Sequence, residues 1–157
     1  MRKLLFGAAA ALLLSAASAQ AHTVNATATL QGGEENPALL TGAVGMAELS
    51  IDTDTRVISV SLKVFNLPTG STAGHIHVGS KGVNGPVVID FPIPAGRTGD
   101  LALQFTVGAA QLRPRPELGI ATIDDVIQAI SAGAAYVNIH TSQNPSGEIR
   151  GQLAVSR

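Results

Sequence analysis

No cysteine occurs anywhere in the 157-residue chain. Disulfides, cysteine-ligated zinc, iron–sulfur clusters and thiol nucleophiles are therefore excluded. Tryptophan is also absent, and aromatic residues make up only 3% of the sequence. Charge is scarce at 13%, and ten basic residues stand against eleven acidic ones. There is no basic excess to follow a nucleic-acid backbone, so nucleic acid is not an expected partner. Catalytic signatures are missing too: no G-x-S-x-G elbow, no phosphate-binding loop and no dinucleotide glycine motif occurs. What is present is ample apolar content, 45%, in a length that suits one domain.

The apolar content is unevenly distributed. Arg2 and Lys3 precede an unbroken run of apolar residues and glycine from Leu4 to Leu14, and small residues follow at Ala16, Ala17, Ser18 and Ala19. A positive start, an apolar middle and a small-residue end are the parts of a secretory signal, and the run is short for a membrane span. We expect residues 1–21 to be a signal peptide, with cleavage after Ala19 or after Ala21, and residues 22–157 to be the exported domain. Removal of Arg2 and Lys3 leaves eight basic against eleven acidic residues, a net charge of −3. No later run is long enough to cross a membrane. An exported domain without cysteine must be held by core packing alone.

The rest reads as short strands. Thr23 to Leu30 alternates Val24, Ala26, Ala28 and Leu30 with polar residues, the period of a half-buried strand. Further strands are expected over Gly42–Ile51, Arg56–Phe65, Gly74–Val78, Val87–Phe91, Leu101–Val107, Ala135–His140 and Glu148–Val155. Met46, the single methionine left after signal removal, is expected in the core. One helix interrupts: Thr122 can cap it, Asp125 follows three residues on, and Gly133 suits its end. Seven or eight strands with one short helix predict an all-β antiparallel sandwich or barrel of Greek-key type, superoxide-dismutase-like or immunoglobulin-like.

The last hairpin has a legible register. If paired residue numbers sum to 288, Tyr136 faces Gln152, Asn138 faces Arg150 and His140 faces Glu148. Val137 and Ile139 then face Gly151 and Ile149, so one face is polar and the other apolar or glycine. The polar set Tyr136, Asn138, Glu148 and Arg150 can support a metal-binding histidine. Its plainer reading is a solvated sheet face with a cross-strand charge pair.

His75 and His77 are two residues apart on an expected strand, so both project from one face. Imidazole suits copper, zinc, nickel and iron. A tight site needs a third histidine, which leaves His140 and His22; an N-terminal His22 can chelate copper with its amine and ring. Asp90 is expected to be a surface residue. Gly79, Gly82, Gly85 and Pro86, and again Asn144, Pro145 and Gly147, are expected to form tight turns.

Two segments resemble the signature of the CHRD domain, a module repeated in chordin. One is Gly74-His75-Ile76-His77-Val78-Gly79, continued by Gly82 and by Gly85-Pro86-Val87-Val88. The other runs from Tyr136 to Thr141 and from Asn144 to Leu153. Asn36-Pro37 and Gly42 are similar to the family's opening. The resemblance implies a β-sandwich outside the cytoplasm, either periplasmic or secreted. Leu62 to Gly79 also resembles, at the level of fold, the path of Cu/Zn superoxide dismutase into its His-x-His copper strand. That likeness implies His75, His77 and His140 as copper ligands, although the Cys pair and zinc loop are missing. Two functions follow: a non-catalytic module that binds an unidentified protein or envelope component, or a copper-binding protein.

Overall fold

A computed structural model describes residues 22–156. The expected signal peptide lies outside the described residues. Alternating burial builds β1 (Thr23–Gln31), β2 (Val44–Asp52) and β3 (Val57–Leu67) as an antiparallel meander. β4 (Ser71–Val78), β5 (Val87–Phe91) and β6 (Gly99–Val107) follow, then α1 (Ile123–Ser131), β7 (Ala135–Thr141), β8 (Ile149–Gln152) and β9 (Ala154–Val155). The chain is all-β, as its periodicity predicts.

The strands run β5-β4-β7-β8-β1-β2-β3-β6 in one curled antiparallel sheet, and the connections after β3, β5 and β6 join strands that are not neighbours in it. Its two edges approach each other where Phe91 of β5 meets Phe105 of β6, ring centroids 5.0 Å apart. The segment after β6 covers the outer edge of β5, where Arg113 N–H donates to Val88 O at 2.8 Å and Leu112 bridges Ile89. The barrel is thus nearly closed and the β5 edge is covered, which limits edge-to-edge pairing there. The interior is aliphatic: Leu30, Ile51, Ile58, Leu62, Ile76 and Ile139 are among its fully buried side chains.

α1 presents Ile123, Val126, Ile127 and Ile130 to this core. Its start is the reciprocal box read from the sequence: Thr122 Oγ1 accepts from Asp125 N–H, and Asp125 Oδ2 accepts from Thr122 N–H at 2.8 Å. Gly133, at φ +69°, follows its end. Thr122→Ala is expected to cost about 1 kcal/mol in chemical denaturation.

Two expectations are corrected. Glu148–Val155 is not one strand: the chain breaks at Leu153, so that β8 pairs with β7 while β9 pairs with β1. The shift follows a close approach at Gly151, where a Cβ would strike the Thr29 carbonyl of β1. Met46 is not in the core. Gly45, Ala47, Leu49 and Ile51 take the inner positions of β2, and Met46 is 41% exposed.

Candidate metal centre

β4 and β7 are adjacent and antiparallel, although 56 residues separate Val78 from Ala135 in the chain. Ile76, Val137 and Ile139 fill the inner face, so alternation sends His75, His77, Tyr136, Asn138 and His140 to the outer one. His75 is paired with Asn138 and His77 with Tyr136. His140, two residues beyond Asn138, is the diagonal neighbour of His75 and within reach of its ring.

The three imidazoles meet. Ring centroids are 4.8 Å apart for His75 and His140, 5.6 Å for His75 and His77, and 6.0 Å for His77 and His140. One nitrogen from each lies within 4.8 Å of the others. His75 Nδ1 faces His140 Nε2 at 3.0 Å.

The second nitrogen of each ring is held from outside the cluster. His77 Nδ1 lies 2.9 Å from Gly85 O, and His140 Nδ1 lies 3.0 Å from Pro145 O. A carbonyl oxygen only accepts, so both Nδ1 atoms carry the proton and both Nε2 atoms keep their lone pairs. His77 Nε2 is buried with no hydrogen-bond partner. His75 Nε2 lies 3.4 Å from Asp90 Oδ1, and the same carboxylate accepts from Arg113 Nε at 2.6 Å. Asp90 Oδ1 makes no hydrogen bond, so the carboxylate favours a proton on His75 Nε2 through its charge alone; that tautomer turns the lone pair of Nδ1 toward the cluster.

Burial depresses the pKa of all three rings. His75 falls to about 4 through burial and the neighbouring His140 and His77, with Asp90 opposing. His77 also falls to about 4, chiefly through burial, against the Gly85 carbonyl. His140 is lowered by burial, against Pro145. At neutral pH the three rings are uncharged and their lone pairs are free to bind a cation.

The observed ladder has the register inferred from the face separation: Tyr136 pairs with Gln152, Asn138 with Arg150 and Ile139 with Ile149. The expectation of a solvated polar face is overturned. Every residue of β7 is buried, because the core lies beneath it and loops lie above. Asn36 Nδ2 donates to Gly82 O and Asn84 Nδ2 to Asn36 O, both at 2.7 Å, which ties two of the roofing loops together. Arg150, 2% exposed, donates to Asn84 Oδ1 and Val83 O. Its guanidinium lies 3.6 Å from the Tyr136 ring centroid, and Tyr136 stacks on His77 at 4.8 Å.

Glu148 does not orient a histidine. It is fully buried and accepts from Thr41, Thr141 and Asn144. His22 is exposed and stands apart: Gln31 pairs with Arg150 beside the cluster, and His22 is nine residues further along β1, roughly 30 Å of extended chain. The expected turns are present, with Gly82 at φ +80° and Gly147 at φ +145°. Two of their residues, Gly85 and Pro145, also supply the carbonyls that orient His77 and His140.

Asp90, expected at the surface, is instead half-buried between His75 and Arg113. Pairing β4 with β5 places His75 opposite Asp90, but a bulge beside His77 disrupts that register and hides the pair from a sequence reading. Glu35 gave no signal in the sequence. It reaches the site from the loop after β1 and accepts from Asn138 Nδ2 at 2.7 Å. A wider groove of about 620 Å³ crosses β1, β2, β3 and β6. Its lining contains no imidazole, and the histidine cluster is far the stronger site chemically.

Fold and site together define a small β-barrel domain that carries a roofed histidine cluster on the outside of its sheet. The chain belongs to the CHRD family: the CHRD domain model matches residues 26–153. Comparison with curated proteins found no match, and comparison with solved structures found none.

Proposed function

We propose that this chain is an exported CHRD-domain protein that binds one copper ion through His75, His77 and His140. The observation carrying this reading is the convergence of three imidazoles, two of them held by hydrogen bonds to Gly85 O and Pro145 O and the third standing beside Asp90. Such outer partners fix tautomer and ring angle and raise ligand basicity. Copper heads the affinity order for nitrogen sites among divalent first-row metals, and zinc is the nearest competitor.

Titration of the purified protein with copper and zinc, read by native mass spectrometry, tests the reading. One copper per chain, lost in the His75→Ala/His77→Ala variant, supports it; equal uptake by parent and variant overturns it. Asp90→Ala is expected to weaken copper binding about 10- to 100-fold. A competition titration with a chromogenic chelator measures the difference.

A non-catalytic binding module is the second reading, with a protein or envelope component as partner. It is favoured by Leu40, fully exposed in the loop between β1 and β2, and by half-exposed Val83 in a loop bonded to it. Crosslinking in the native envelope, compared between parent and Leu40→Asp, tests that contact.

A further inference from the structure

A cavity of about 400 Å³ lies beside the histidine cluster, lined among others by His77, Tyr136, Asn138, Glu35, Gly147 and Arg150. Two buried acceptors on its wall have no partner, His77 Nε2 and Asn138 Oδ1. The orientation of the Asn138 amide is not arbitrary. Its nitrogen faces Glu35 Oε1 at 2.7 Å and Ile149 O at 3.5 Å, both acceptors, so the oxygen must point the other way. Asn138 is 2% exposed, and leaving such an acceptor unsatisfied costs about 1–3 kcal/mol. Space in front of that oxygen depends on Gly147, where a Cβ would stand 2.8 Å from Asn138 Oδ1 and 2.6 Å from Glu35 Oε1.

Asn138 is also placed beside the cluster. It pairs across β4–β7 with His75 and sits two residues from His140 on the same face. Metal sites that serve only structure are closed by four protein ligands, whereas three protein ligands leave a position for a further one. Among the described residues, no fourth histidine or carboxylate joins the three-histidine group.

Resting on the copper reading above, we propose that the centre keeps a fourth position open to this cavity. It takes a small protic ligand there, water in the simplest case, whose hydrogen is accepted by Asn138 Oδ1. The metal then satisfies the lone pair of His77, and the ligand it carries satisfies that of Asn138. The site on this account is an exchangeable one for small molecules, shielded by the roofing loops.

The test uses the full copper-loaded protein. Solvent proton relaxation is expected to rise above that of copper shielded from water, and azide is expected to give a new charge-transfer absorption while removing most of that rise. Azide offers no hydrogen to Asn138 and must displace the bonded water. Asn138→Leu removes the acceptor and is therefore expected to bind azide about 5- to 10-fold more tightly. Azide affinity is read on fully copper-loaded protein, so that a change in copper affinity does not enter the comparison. If the variant fails to fold, relaxation and azide binding in the parent still decide whether the position is open. Copper uptake with neither inner-sphere water nor an azide band overturns this inference alone; absence of copper uptake overturns the metal reading beneath it. Unchanged azide affinity in a folded Asn138→Leu protein overturns the role given to Asn138.

Discussion

His140→Ala is expected to lower copper affinity by at least about 100-fold while leaving the fold intact. Removing an orienting partner alone costs about 10- to 100-fold, and loss of a ligand removes both the bond and its orientation. Retention of the fold follows from where His140 sits. Its side chain lies on the outer face of β7, whose inner face packs through Val137 and Ile139. Its Nδ1 donates to the Pro145 carbonyl, and its Nε2 faces His75 Nδ1 at 3.0 Å. Substitution therefore opens space under the roof without touching the aliphatic interior. Isothermal titration or chelator competition gives the affinity, and far-UV circular dichroism controls for fold. A His140→Ala protein that binds copper like the parent leaves the three-histidine account without support.

Glu148→Ala is expected to destabilise the domain by about 3–5 kcal/mol, with no direct effect on the histidine cluster. The Glu148 carboxylate joins three pieces of chain: Thr41 before β2, Thr141 at the end of β7 and Asn144 in the following turn. Alanine leaves their donors unpaired in a buried site and opens a void. Burial raises the Glu148 pKa, but the hydrogen bonds from Thr41, Asn144 and Thr141 outweigh it and hold the group below its usual 4.5. The folded protein thus binds that proton less readily than the unfolded chain. Its stabilising contribution is complete above about pH 4.5 and is lost as pH falls through the folded pKa. Glu148→Gln, which presents an amide to donors, is accordingly expected to be penalised at neutral pH, and the penalty should shrink in acid. Urea denaturation at a series of pH values reads both effects.

Much of this architecture is legible in the sequence because it is governed by local period. The alternation of β1 and β3 marks their inner faces, the separation of polar from apolar residues sets the β7–β8 register, and Thr122 with Asp125 marks the start of α1. His75 and His77 share a face for the same reason. The assembly of the site is another matter, since it depends on pairings distant in the chain. His140 meets His75 only because β7 lies against β4, a contact across 65 residues. The roof over Asn138 and Arg150 depends on Asn36 and Asn84 bonding across 48 residues. Period two indicates which face a side chain takes but not whether loops cover that face. The buried state of Arg150 and Glu148 is therefore invisible in the sequence. Asp90 is lost for a third reason, the bulge that shifts β4 against β5.

X-ray absorption at the copper edge of the loaded protein tests the central claim most directly. The account predicts three imidazole rings bound through nitrogen at about 2.0 Å, with a lighter oxygen scatterer in the remaining position. Fewer than three imidazoles, or the same spectrum from the His75→Ala/His77→Ala variant, would contradict it.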